Sequence, residues 1–249
     1  GDDGNGVVGL APSSKILPVR VLDAQNRYDD AIVVARGVQW AVDHGAQVIN
    51  LSLGGAAYNP ALADALDYAF SRDVVVVACT GNRLAGEPTE VWYPAREPGV
   101  LAVSGVDLES ADASDPLWPG SLTGPATVLT APATDLLGAA PRGGYWRVQG
   151  TSFAAPLVSA TAALVRARWP RMSAANVVQR LTQTARDLGA PGRDSRFGFG
   201  LVDPVRALQA PVAEVAANPL DTAPPPGVAE FGPSDPAEPP RHLGSHAAV

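Results

Sequence analysis

Gly150-Thr151-Ser152-Phe153-Ala154-Ala155-Pro156 runs directly into an apolar stretch at residues 157–165, which places a serine hydroxyl at the start of a buried helix. The chemistry that suits such a serine is acyl transfer. Unpaired N–H groups and the positive helix end would face an oxyanion formed on an attacked carbonyl, and Gly150 allows close backbone approach. The same residues also fit an ordinary Thr/Ser cap ahead of a core helix, and the local pattern does not separate the two. Asn82 follows Gly81 at the end of a predicted strand at 74–78. There a side-chain amide can donate to an oxyanion or simply serve a turn after glycine.

Three further segments precede the serine: Val48-Ile49-Asn50-Leu51-Ser52-Leu53-Gly54-Gly55, Val77-Ala78-Cys79-Thr80-Gly81-Asn82 and Trp92-Tyr93-Pro94-Ala95. In this order and spacing the set resembles the subtilisin-like serine proteases, from about Gly6 to Leu208. Within that family Val8-Gly9-Leu10-Ala11-Pro12, residues 152–168 and Phe197-Gly198-Phe199-Gly200-Leu201-Val202-Asp203-Pro204 are most similar to mycosins, the proteases associated with type VII secretion.

The resemblance implies a serine endopeptidase that hydrolyses peptide bonds by a Ser-His-Asp acyl-enzyme mechanism. Ser152 is then the nucleophile, and Asn82 with the Ser152 N–H forms the oxyanion hole. Ser52, Leu53 and Gly54 match an edge against which an extended peptide is laid through backbone hydrogen bonds. Cys79, Thr80 and Gly81 would wall the pocket for the side chain ahead of the scissile bond, and Thr151 joins the substrate-binding set. Cys79 is open to two readings, a thiol-sensitive pocket residue or a buried structural cysteine. Trp92 falls where many relatives carry glycine at the pocket base, so a preference for small side chains is expected. Tyr93-Pro94 matches a cis-proline turn of the family. Asp2-Asp3-Gly4-Asn5-Gly6-Val7 matches a loop that binds Ca²⁺ in some relatives, with Asp3 the candidate ligand and a plain turn the alternative reading. No metal ligand is assigned beyond that and no other cofactor is expected.

The base departs from the family pattern. The histidines are His44, His242 and His246, none in a His-Gly-Thr context, and no Asp-Thr/Ser-Gly segment exists. Family order puts both motifs ahead of Gly1, so this chain by itself is expected to be a poor catalyst or inert. His44 suits a donor at a helix C-terminus. The competing reading is a pseudoprotease that binds extended peptides or scaffolds a secretion complex without cutting. An α/β-hydrolase does not fit, because Gly150-Thr151-Ser152-Phe153-Ala154 lacks the last glycine of Gly-x-Ser-x-Gly. A nucleotide-binding start at residues 1–9 lacks both the glycine spacing and a preceding strand.

The elements that must position these residues are legible as alternation. Predicted strands lie at 16–22, 48–53, 74–78, 100–106 and 127–131. Predicted helices open at Asp29-Asp30, Asn59-Pro60, Ser152, Ser173 and Pro204. This predicts an α/β fold: three layers, a doubly wound, mostly parallel sheet with helices on both faces, N-terminally incomplete relative to the family. A chain of 249 residues, 46% hydrophobic and 17% charged, can bury one large core. The peptidase domain is expected over 1–210, followed by a proline-rich, disordered tail or linker over 211–249. A net charge of -7 argues against nucleic acid as a partner. The expected partner is a polypeptide substrate, with a membrane-anchored secretion complex implied by the mycosin likeness. One cysteine excludes a disulfide within the chain. No stretch is long and apolar enough to span a bilayer, and no signal peptide is present. An export signal would lie ahead of Gly1, and the expected location is extracellular or at the cell surface.

Overall fold

The computed structural model describes residues 6–25, 27–28, 30–83, 86, 89–112, 114–140 and 143–221. Its centre is a four-stranded parallel sheet in which β1 (Val48–Leu51), β2 (Val75–Cys79), β3 (Leu101–Val106) and β4 (Leu129–Pro132) lie side by side in chain order. Val48 faces Val75, Val77 faces Leu101 and Val103 faces Leu129. Every residue of β2 and β3 is buried, as parallel strands covered by helices on both faces require.

The helix starts follow the capping residues. Asp30 accepts from the Ile32 N–H at the start of α1 (Ala31–Asp43), and Asn59 accepts from Leu62 at α2 (Pro60–Ser71), with Pro60 at its first turn. Ser173 caps α4 (Ala174–Thr184) and Asp203 caps α5 (Pro204–Gln209) in the same way. Between them α3 (Thr151–Arg168) crosses all four strands and packs on α4 and α5, while α1 packs on α2. Asp29 and Asp3 lie outside the described residues.

Arg166, 6% exposed, links three of these elements. Its guanidinium donates to the Asp73 carboxylate at 2.8 Å, to the Asp73 carbonyl and to the Met172 carbonyl at 2.7 Å. The other Asp73 carboxylate oxygen accepts the N–H of Ala174, the first residue of α4, at 2.6 Å. Asp73 itself adopts φ 60°, a left-handed conformation that Asp and Asn tolerate better than most residues.

Three features differ from what the sequence pattern suggests. Residues 16–22 form no strand. Val19 and Val21 press on Gly37 of α1, and a cleft of about 490 Å³ lies between residues 19–24 and Asn50, Ser52 and Leu53. Among the described residues no strand lies alongside, so this backbone has no ladder to join there. A hairpin is present that the apolar pattern did not indicate: β5 (Leu136–Ala139) pairs antiparallel with β6 (Tyr145–Val148) around Gly143 and Gly144, both at positive φ. Finally, residues 211–221, expected to open the tail, are held against the domain. Asn176 exchanges hydrogen bonds with Val215, Asn218 donates to the Gly99 carbonyl, and Leu220 is 7% exposed.

Candidate active site

In a parallel sheet the loops leaving the C-terminal strand ends converge on one rim, where ligands bind. Here β1 runs out through Ser52, Leu53 and Gly54, β2 through Thr80, Gly81 and Asn82, and the first turn of α3 is set against both. Gly150, at φ 134°, turns the chain from β6 into α3 and offers no side chain to cap it. The Phe153 N–H turns back onto the Gly150 carbonyl at 3.0 Å, which leaves those of Thr151 and Ser152 to acceptors outside the helix.

Thr151 uses its own. Its N–H and its hydroxyl both donate to Asn82 Oδ1 at 3.0 Å, while its hydroxyl oxygen accepts the Gly81 N–H at 3.2 Å. Two donors on Oδ1 fix which end of the Asn82 amide is which. The Nδ2 group is left as a donor beside the start of α3, with no acceptor among the described residues. The Asn82 backbone is fixed as well, by a bridge to Ser121 and by the Leu122 N–H on the Gly81 carbonyl at 3.0 Å.

Ser152 is half-buried, and its hydroxyl donates to Cys79 Sγ at 3.8 Å. Burial pushes the Cys79 thiol above its ordinary pKa, partly opposed by hydrogen bonds from Ser152 and Thr151. A neutral thiol cannot take the serine proton, so Cys79 is packing and not a base. The serine backbone is tied in a second way that the sequence pattern did not reveal. Ser159 donates to Asn50 Oδ1 at 3.0 Å, Asn50 Nδ2 donates to Ser52 Oγ at 2.9 Å, and Ser52 donates to the Ser152 carbonyl at 2.7 Å. The available signal was Asn50 and Ser52 alternating with Ile49 and Leu51 inside an apolar strand.

The structure gathers Ser52, Leu53, Gly54, Cys79, Thr80, Gly81, Asn82, Trp92, Thr151 and Ser152 at this rim, but not all face the groove. The side chains of Cys79 and Thr80 are fully buried, so Gly81 and the half-buried Trp92 present the wall expected from Cys79, Thr80 and Gly81 together. The Tyr93-Pro94 peptide is cis. Tyr28, also unanticipated, brings its hydroxyl to 3.5 Å from where a Cβ on Gly55 would stand.

No base reaches Ser152 among the described residues. His44 closes α1 at the opposite end of the sheet, exposed, with Nδ1 2.7 Å from the Trp40 carbonyl and its ring stacked on Trp40. His242 and His246 lie outside the described residues, as does Asp3. Among the described residues no group of three or more His, Cys, Asp or Glu side chains is arranged to hold a metal.

A serine at a helix start, an amide aimed beside it and a paired edge leading to both form one arrangement, and the sequence profile of the subtilase family matches residues 1–200. The chain belongs to the subtilase family. Subtilisin DY of Bacillus licheniformis is 35% identical over 210 residues, covering 84% of this chain and 73% of that protein. Fervidolysin of Fervidobacterium pennivorans is 34% identical over 232 residues, covering 84% of this chain and 33% of its own length. The chain thus spans most of one curated relative and a third of the other. The crystal structure of fervidolysin, a keratinolytic enzyme related to subtilisin, superposes with a TM-score of 0.76 at 32% identity, covering 85% of this chain and 34% of that one. MycP1 with its N-terminal propeptide removed gives 0.68 at 29%, covering 87% and 76%. Its relatives in this family are subtilisin-like serine proteases, and such enzymes act on polypeptides.

Proposed function

We propose that this subtilase chain carries the nucleophile and oxyanion hole of a serine endopeptidase acting outside the cell or at its surface. The observation that supports it most is the Asn82 amide, turned by two Thr151 donors so that Nδ2 stands next to the nucleophile's helix. A base removes the Ser152 Oγ proton as Oγ bonds to the peptide carbonyl carbon. The carbonyl oxygen becomes an oxyanion held by Asn82 Nδ2 and the Ser152 N–H. Collapse expels the amine, which takes the proton from the base, and water then hydrolyses the acyl-Ser152 ester. The histidine base and the aspartate that orients it come, in this reading, from polypeptide outside this sequence. Ser52, Leu53 and Gly54 hold the substrate backbone. The likeness to MycP1 supports work alongside a type VII secretion complex. No described helix is long and apolar enough to cross a membrane.

A second reading, a peptide-binding or scaffolding pseudoprotease, is favoured by one observation: the single described histidine sits at the far end of the sheet. A fluorophosphonate probe and a fluorogenic peptide separate the two on the natural protein and its Ser152→Ala variant. Labelling and hydrolysis that both vanish in Ser152→Ala are expected of the protease. Peptide binding with neither would establish the pseudoprotease instead.

A further inference from the structure

The side chain ahead of the scissile bond has one direction to go if the site works as proposed, and the pocket assigned to it rests on that reading. A peptide extended along Ser52, Leu53 and Gly54, with its carbonyl between Ser152 Oγ and Asn82 Nδ2, points that side chain into the gap between residues 53–55 and 80–82. Both walls are glycine at the gap, Gly54 on one side and Gly81 on the other.

The gap is filled by an indole. The Trp92 N–H donates to the Thr80 carbonyl at 2.9 Å, and Tyr93 exchanges both backbone hydrogen bonds with Gly55, at 2.8 and 3.0 Å. This short segment is therefore stitched to both walls, and the Trp92 side chain stands between them. A Cβ built on Gly81 would meet Trp92 Cδ2 at 2.4 Å, Cγ at 2.7 Å and Cε2 at 2.8 Å. One on Gly54 would meet Trp92 Cβ at 3.2 Å and Cε3 at 3.5 Å. Real Cβ atoms do not approach as closely as the Gly81 distances, so the ring rests directly on the Gly81 backbone.

We propose that Trp92 closes this pocket and restricts the site to peptides with glycine or alanine immediately ahead of the cut. A phenylalanine or leucine there would need the volume the indole already occupies, and packed interiors do not yield such a volume without strain.

The test, run on the natural protein with whatever polypeptide flanks this sequence, compares acetylated tetrapeptides that differ only in a C-terminal Ala or Phe, titrated by NMR at the Gly81 amide and the Trp92 indole N–H. The matching p-nitroanilides are assayed in parallel. The wild-type protein is expected to favour Ala over Phe by about tenfold or more, the low end of what a pocket filled by a few carbons achieves. Trp92→Gly is expected to bring Phe level or ahead. Equal handling of Ala and Phe by the wild type overturns the proposal, and so does an Ala preference that survives both Trp92→Gly and Trp92→Ala. The wild-type comparison stands even if a variant does not fold. Ala-selective binding without hydrolysis sinks the protease reading and keeps the pocket assignment, whereas hydrolysis without selectivity does the reverse. Absence of both overturns both.

Discussion

Asn82 holds its amide oxygen against two donors of Thr151, and the buried Thr151 hydroxyl is itself held by Gly81. Removing an oxyanion donor of this kind costs about 10²–10³ in kcat in a subtilisin. In the active, complete protein Asn82→Ala is expected to lower kcat in that range with KM little changed, and an unchanged kcat would remove Asn82 from the mechanism. Thr151→Val deletes one of the two donors on Oδ1 and frees the amide to rotate, so a smaller loss, again in kcat and not KM, is expected from the same assay. The sequence exposed Ser152, Asn82 and the neighbouring glycines because turn and helix-start chemistry demands particular residue types. It concealed the Asn50 and Ser52 relay, whose meaning depends on a helix that arrives 100 residues later.

At the level of elements, α3 carries the nucleophile at its first turn and Arg166 at its last, so anchoring at one end bears on geometry at the other. Asn tolerates the left-handed φ that Asp73 adopts, so Asp73→Asn removes the charge while sparing the backbone. Hydrogen bonds to charged groups contribute about 1.5–3 kcal/mol each. Asp73 is about half exposed, which argues for the low end. For a domain of this size that corresponds to a fall of roughly 3–6 °C in Tm, to be read by calorimetry. Helices were easier to read than strands, for a physical reason. A capping residue acts within one turn, so Asn59-Pro60 and Ser173 announce helices unaided. A strand needs a neighbour, and among the described residues the apolar segment 16–22 has none to pair with.

Across the whole molecule, the sheet's lower rim gathers carboxylates where the C-terminal segment docks. Burial, and secondarily the charge of Asp67, raises the Glu97 carboxyl above its ordinary 4.5, with Arg96 partly opposing. An acid whose folded pKa is raised contributes fully below its unfolded value, and that contribution is lost as pH climbs through the folded value. At neutral pH the Glu97 charge therefore works against the fold. Glu97→Gln is expected to raise Tm at pH 7 and to make no difference below about pH 4. A gain that persists into acid would point to packing instead. The compositional shift after residue 210 was plain in the sequence, yet the folded body continues to 221 because Asn218 and Leu220 find partners at Gly99, a contact no composition encodes.

Cys79 gives this molecule a built-in clock. It is the chain's one thiol, wholly enclosed beneath Ser152, with the first turn of α3 as its cover. A disulfide reagent can reach it when that turn, or the Leu53 edge whose carbonyl lies 3.9 Å from the thiol, lifts from β2. The rate of thiol exchange under native conditions thus counts spontaneous openings of the nucleophile's seat. A peptide occupying the groove would slow the count without touching the sulfur.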